Sequence, residues 1–255
     1  MDLNRVRPFT VSDSGDPALQ ARMADEGYLY LPRLVAPAAV DEARAAIADV
    51  LADEGVLKVG SPPADLTYRG GDPPSRDVLL ALHKRLNPLA AFTTLAEQPP
   101  ILTIMGALLG DRVRTHVRKI CRVKYPHDAY DVVGAHQDFW YVKGAETTYT
   151  CWLPLTNTSA VLGGLAIRPA SHLDGPTAHH QSDGSRFHGV GDVASTNGWV
   201  WSPMGVGDAL VFHSLTVHAG LPNAMTSCLT LPKRRCAWSG LLASSRHAGN
   251  TSTTR

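Results

Sequence analysis

Helices layered on an antiparallel β-sandwich or barrel, an α+β fold with a mainly β core, is the architecture this sequence predicts. Two features carry that expectation. Over the first 110 residues apolar side chains recur at helical spacing, and from Arg112 onward the period changes to two. After the change, short alternating runs follow one another between clusters of Gly, Pro, Asn and Ser, the pattern of strands joined by turns. A chain of 255 residues, 44% hydrophobic and 18% charged, has ordinary globular composition and the length for one domain with a sizeable core. The expected division is a mostly helical part over about 1–110, a β core over about 111–242 and a frayed polar tail over 243–255.

The elements can be placed in order. A short helix is expected over 17–26, and a strand over Gly27-Tyr28-Leu29-Tyr30-Leu31-Pro32, aromatic, alternating and closed by proline. Val40, Ala43, Ala46, Ile47, Val50 and Leu51 give a helix over 36–54 with Gly55 as its stop. Residues 56–77 are rich in Gly, Pro and Asp and read as a long loop. Helical character resumes over 76–95, interrupted at Pro88, and Pro99-Pro100 opens a further helix ended by Gly110. Residues 112–124 read as one strand. Val113, Thr115, Val117, Cys121 and Val123 share an apolar face, while Arg112, Arg114, His116, Arg118, Arg122 and Lys124 share a basic one with Ile120. That basic face suits either a solvated sheet surface or a wall inside a barrel that handles an anion. Further strands are expected over 147–155, 164–168, 199–201, 208–213, 217–220 and 235–242, with a second long polar loop over 174–198.

Composition excludes several functions. A net charge of +1 provides no global field for nucleic acid or a membrane surface, so recognition is local and the expected partner is a small molecule. Apolar runs fall short of a membrane span, and Met1-Asp2-Leu3-Asn4-Arg5 lacks the apolar core of a secretion signal. Cys121, Cys151, Cys228 and Cys236 show no metal-like spacing and read as free thiols of a reducing cytoplasm. Nothing in the sequence sets an oligomeric state.

The chemistry concentrates at Gly134-Ala135-His136-Gln137-Asp138-Phe139-Trp140. On an extended strand His136 and Asp138 share a face and Gln137 points away. An imidazole and a carboxylate on one face, completed by a distant histidine, form the three-ligand set of non-haem iron(II) with open positions. The triplet is weak alone: with 11 histidines, roughly one accidental His-x-Asp is expected, and His172-Leu173-Asp174 is a second. The latter lies in a turn-like stretch, where same-face geometry is not expected. For the third ligand the contenders are His213, His218 and the cluster His179, His180 and His188.

Five blocks then occur in one order: His136-Gln137-Asp138; Thr150-Cys151-Trp152-Leu153-Pro154-Leu155; Gly163-Gly164-Leu165-Ala166-Ile167-Arg168-Pro169-Ala170-Ser171-His172; Gly207-Asp208-Ala209-Leu210-Val211-Phe212; and His218-Ala219-Gly220-Leu221-Pro222-Asn223. Together they resemble the phytanoyl-CoA dioxygenase family of iron(II)- and 2-oxoglutarate-dependent oxygenases, over roughly residues 22–242. The resemblance implies a double-stranded β-helix, or jelly roll, with helices outside the larger sheet, and the cofactors Fe(II), 2-oxoglutarate and O2. It implies His136, Asp138 and His218 as iron ligands and a structural role for His172, with Ala170 standing where the family has glycine. It further implies Arg235 as the anchor of the far carboxylate of 2-oxoglutarate, with Arg234 as the competing register, and places Thr150, Trp152, Arg118 and Ile120 beside the cosubstrate. Asp138 also argues against halogenation, because family halogenases carry a small residue there. Two other readings compete: a cupin-like zinc or manganese isomerase or hydrolase, and a non-catalytic jelly-roll binding module.

Overall fold

The computed structural model describes residues 7–60, 62, 65–72, 74–110, 113–117, 119–126, 134–143, 145, 147–181, 188–190, 198–223 and 237–246, with the backbone alone described at 76, 188 and 237–246. The chain opens with α1 (Leu19–Glu26) and β1 (Tyr28–Leu31), then α2 (Pro37–Asp53), α3 (Arg76–Leu86), α4 (Ala90–Thr93) and α5 (Pro99–Leu109). The strands β2 (Val113–Thr115) and β3 (Ile120–Lys124) follow, and then α6 (Asp138–Val142), β4 (Thr148–Pro154) and β5 (Gly164–Ile167). The last elements are β6 (His180–Gln181), β7 (His188–Gly189), β8 (Ala209–His213), β9 (His218–Leu221) and β10 (Ala237–Arg246).

The helices end where the local chemistry requires. Pro88 has no N–H to donate to the carbonyl one turn earlier, so α3 stops at Leu86. Proline opens α5 at a position whose N–H would be unpaired anyway, and Gly110 closes it at φ 84°. Gly27 ends α1 in the left-handed region at φ 74°, and a Cβ there would run into the His172 ring and the Thr216 hydroxyl. Two independent reasons thus require glycine at this position.

A six-stranded antiparallel sheet runs β1-β8-β4-β10-β2, with β3 also paired to β10, and β5 and β9 form a smaller sheet. Alternation sorts the larger sheet into two faces. Leu29, Leu31, Cys121, Val123, Cys151, Leu153, Ala209 and Val211 pack with the apolar stripes of α1, α2 and α5 in the main core. Tyr28, Trp152, Leu210 and Phe212 point the other way and meet Leu165 and Ile167 of the smaller sheet. The result is a two-sheet sandwich with its helical layer outside the larger sheet, the layering expected of a jelly roll. Among the described residues the two sheets do not close into a continuous barrel. No described helix is long and apolar enough to cross a membrane.

Four expectations need correction. Residues 112–124 do not form one strand: β2 and β3 both pair with β10, but Thr115 faces Ser244 and Ile120 faces Leu241. Five steps on one side oppose three on the other, so two residues bulge out. Val117 sits in that bulge, 87% exposed, and not beneath the helices, while an even insertion returns Cys121 and Val123 to the helix-facing side. Arg118 lies outside the described residues. The polar stretch after 242 is strand as far as Arg246, because Ala243, Ser244 and Ser245 pair with Thr150, Tyr149 and Thr148. The expected strand 199–201 reduces to bridges at Val200. Part of the 56–77 loop also folds back on itself, Lys58 donating to Thr67 and Arg69 to Val56, and buries Tyr68 against Tyr125.

The bulge and the core make opposite demands on apolar side chains. Leu153→Ala, which empties a site between sheet and helices, should cost about 2–5 kcal/mol, and Val117→Ser no more than about 0.5 kcal/mol. Denaturant midpoints check this; equal losses at the two positions would contradict the face assignment.

Candidate metal centre

Backbone pairing builds the site. His136 donates its N–H to the His218 carbonyl at 2.9 Å and accepts the His218 N–H at 3.0 Å, an antiparallel pair at the start of β9. Residues directly opposite in such a pair project to the same side, and the two imidazole centroids lie 4.1 Å apart. Gln137 continues the extended chain at φ −111°, ψ 133°, and Asp138 begins α6. One extended residue between them is enough to bring the carboxylate onto the face of His136, although His136 makes an isolated bridge and belongs to no strand.

Asp138 Oδ1 stands 3.6 Å from His136 Nε2 and 3.5 Å from His218 Nε2. Among the described residues, His136, Asp138 and His218 are the cluster whose ligating atoms lie within 4.8 Å of one another, and all three side chains are buried. Ligands about 2.1 Å from one first-row divalent ion, at angles near 90–110°, stand roughly 3.0–3.4 Å apart, so the donor set needs to contract by only a few tenths of an ångström at the Asp138 contacts to hold such an ion. Tautomers agree. His136 Nδ1 bonds the Gly134 carbonyl at 2.8 Å and His218 Nδ1 the Thr216 carbonyl at 2.9 Å. A carbonyl only accepts, so each Nδ1 carries the proton and each Nε2 offers its lone pair to the centre.

Electrostatics favour the ligating states. Burial, reinforced by His218, pushes the His136 imidazole down to about 4, so it is neutral at pH 7. Burial alone would raise the Asp138 carboxyl, but the adjoining imidazoles outweigh it and hold the group well below the usual carboxylate range. Its second oxygen, Oδ2, accepts the Thr150 hydroxyl at 2.6 Å. Thr150 lies on the inner face of β4 with Trp152, as the period of two requires, opposite Phe212 of β8. Its hydroxyl proton goes to Asp138 in this structure, which suits it to orient that carboxylate.

The other expected residues fall as follows. Trp152 is buried in the inner core between the sheets. Ile120 is half-buried on the face of β3 opposite Cys121 and Val123. Arg234 and Arg235, just before β10, lie outside the described residues, as does Arg118. His172 reaches the Ala24 carbonyl at 3.0 Å, and His213 accepts the Leu215 N–H at 3.2 Å. Neither joins the cluster. Ala170 adopts φ 60°, ψ 0°, a left-handed turn conformation that explains why glycine suits this position.

Two residues at the centre escaped sequence reasoning. Gln137, expected only to point away, is buried with its amide fully engaged by the Gly175 and Leu215 carbonyls and the Thr177 N–H. His179, one contender for third ligand, is no ligand in this arrangement: its Nε2 accepts the Gln137 N–H at 2.9 Å. Alternation announced only that Gln137 turns away from His136 and Asp138. The partners come from segments 38 to 78 positions on, which no local pattern reveals.

Thr150→Val keeps the shape of the side chain and removes the proton that fixes Asp138. Affinity for a first-row divalent ion, titrated anaerobically, should fall about 10–100-fold, and Thr150→Ser should restore it. Equal affinity in the valine variant would contradict the orienting role.

Residues 23–227 match the family model described as Phytanoyl-CoA dioxygenase (PhyH). A 1-deoxypentalenic acid 11-beta-hydroxylase of Streptomyces arenae is 29% identical over 145 residues, 52% of this chain and 50% of the relative. The aligned region thus spans about half the length of that hydroxylase. A methylphosphonate hydroxylase of Gimesia maris is 28% identical over 211 residues, covering 79% of this chain and 73% of the relative. Among solved structures, the apo non-heme monooxygenase ThoJ superimposes with TM-score 0.63 at 17% identity, over 89% of this chain and 77% of that one. The epimerase SnoN, solved with Fe3+, alpha ketoglutarate and nogalamycin RO, gives 0.58 at 23% identity, over 92% and 88%. At these identities the likeness to the solved structures is one of fold. With most of its length matched, the chain belongs to the phytanoyl-CoA dioxygenase family.

Proposed function

We propose that the protein is an iron(II)- and 2-oxoglutarate-dependent dioxygenase that hydroxylates an unactivated C–H bond of a small metabolite, releasing succinate and carbon dioxide. The observation that carries this reading is the buried convergence of His136 Nε2, His218 Nε2 and Asp138 Oδ1, with both Nδ1 protons held by carbonyls. Two imidazoles and one carboxylate leave a divalent ion with positions open for a bidentate 2-oxo acid and dioxygen. When bound, iron(II) with 2-oxoglutarate supplies the dioxygen activation and hydrogen abstraction that no side chain can.

The residues of this chain position and exclude. His136, Asp138 and His218 hold the ion, and Thr150 keeps Asp138 Oδ1 turned towards it. Tyr141 stands edge-on to His136 at 5.5 Å, and the Phe212 ring lies 4.5 Å from His218, apolar walls that keep water from the ligands. Arg235 anchors the far carboxylate of 2-oxoglutarate, because a guanidinium fork meets a carboxylate with two parallel hydrogen bonds. Trp152, Arg118 and Ile120 border the same cosubstrate. The substrate itself is a small molecule, in keeping with hydroxylases of an organic acid and of methylphosphonate among the relatives. The epimerase among the structural neighbours is a reminder that this fold also directs other outcomes.

Oxygen uptake and succinate release, followed together with iron(II) and 2-oxoglutarate, test the proposal. Metabolite extracts incubated with the loaded protein should yield a species heavier by one oxygen. Turnover with zinc or manganese and no 2-oxo acid would instead support a cupin-like isomerase or hydrolase, and failure to bind iron(II) a non-catalytic module. Breaking a buried ion pair costs roughly 3–5 kcal/mol. Arg235→Ala should therefore weaken use of 2-oxoglutarate by about two or more orders of magnitude with iron binding nearly intact, and Arg234→Ala far less. The reverse order would make Arg234 the anchor.

A further inference from the structure

We propose that His179 is a positioning residue for the metal centre: it latches the segment 175–181 onto Gln137, so that docking of this segment and the geometry of His136 and Asp138 form one equilibrium. The proposal rests on the reading above only for the identity of the ion.

Gln137 is the residue between two ligands, so any shift of its backbone moves both. Three hydrogen bonds hold its side chain: Nε2 donates to the Gly175 carbonyl at 2.9 Å and the Leu215 carbonyl at 2.8 Å, and Oε1 accepts the Thr177 N–H at 2.8 Å. Its backbone N–H donates to His179 Nε2 at 2.9 Å. His179 Nδ1 bonds the Thr177 carbonyl at 2.8 Å, so the proton sits on Nδ1 and the Nε2 lone pair is free to accept. The ring is fixed in turn by Trp140, stacked at 4.9 Å and 9° from parallel, and by Tyr141, edge-on at 6.2 Å. Tyr141 also stands against His136.

The neighbouring segment grips the other side of His136. Val190 donates to the Ala135 carbonyl at 2.7 Å, and a Cβ on Gly189 would come 2.7 Å from that same oxygen. The short pairing of β6 with β7 joins the two grips. Residues 135 and 137, which flank His136, are thus both bonded to the segments that carry β6 and β7. The Leu215 carbonyl taken by Gln137 directly precedes Thr216, whose carbonyl orients His218. The latch therefore reaches all three ligands.

Removing the His179 acceptor leaves a buried N–H without a partner beside two ligands, a situation native structures avoid. Such outer partners of metal ligands typically change affinity 10–100-fold when lost. Coupling of this kind is reciprocal: if docking favours the ion, the ion favours docking by the same factor.

The test combines anaerobic iron(II) titration with hydrogen exchange of the full chain. His179→Ala should bind iron(II) about 10–100-fold more weakly and lose exchange protection at the Gln137 and Thr177 amides. His179→Gln, whose amide oxygen can accept from the Gln137 N–H, should recover most of both. In the wild type, adding iron(II) should slow exchange over 175–181, a readout that stands even if the alanine variant does not fold. The proposal is overturned if His179→Ala binds within about two-fold of the wild type, if His179→Gln gives no rescue, or if iron(II) leaves that exchange unchanged. A wild type that binds iron(II) with this coupling yet never decarboxylates 2-oxoglutarate would sink the proposed activity and leave the latch standing. Intact turnover with unaltered affinity in His179→Ala would do the opposite.

Discussion

The reciprocal backbone pair between His136 and His218 is the constraint on which the site depends. It joins the approach to α6 with the start of β9, two regions far apart in the chain, and places two imidazoles side by side before any ion arrives. Each imidazole then gives its Nδ1 proton to a carbonyl two residues earlier, Gly134 for His136 and Thr216 for His218. The same two-residue return occurs twice, so the tautomer is set locally while the pairing is set by the fold. Once that pair exists, Asp138 needs only one extended residue to arrive on the same face.

A buried carboxylate between two imidazoles carries a desolvation penalty, and the surrounding layers supply the compensation. Thr150 gives Asp138 Oδ2 a hydrogen bond from the inner face of β4. Its position there follows from alternation: the neighbouring Cys151 and Leu153 face the helices while Thr150 and Trp152 face the smaller sheet. The outer core of α1, α2 and α5 therefore matters to the chemistry at one remove, because it fixes which face of the larger sheet turns inward. Cys121 and Cys151, buried on the helical side, have their thiols pushed up to about 12 by desolvation and act there as apolar side chains.

Most of the layering was legible in the sequence because two periods carry it. The stripes of α2 and α5, and the alternation of β1, β4 and β8, follow directly from the spacing of apolar residues. What escaped depends on pairing between distant segments. The bulge at Val117 exists because β2 and β3 share β10 as a neighbour at unequal spacing, and no pattern within 112–124 encodes that. Ala243, Ser244 and Ser245 look like a polar tail yet are strand, since β4 pairs with them. At the site, same-face spacing singled out His136 and Asp138, whereas choosing His218 over His213 needed the order of the family blocks. The resemblance placed Thr150 beside the cosubstrate, while its hydrogen bond to Asp138 joins segments twelve residues apart and no local pattern announces it. His179 and Gln137 were hidden for the same reason as the bulge.

The most direct measurement is anomalous diffraction at the iron edge from crystals grown anaerobically with iron(II) and 2-oxoglutarate. One peak should lie about 2.0–2.2 Å from His136 Nε2, His218 Nε2 and Asp138 Oδ1, with His179 and His213 outside its coordination sphere. A peak ligated by His179 or His213, or no peak at these three residues, would contradict the account.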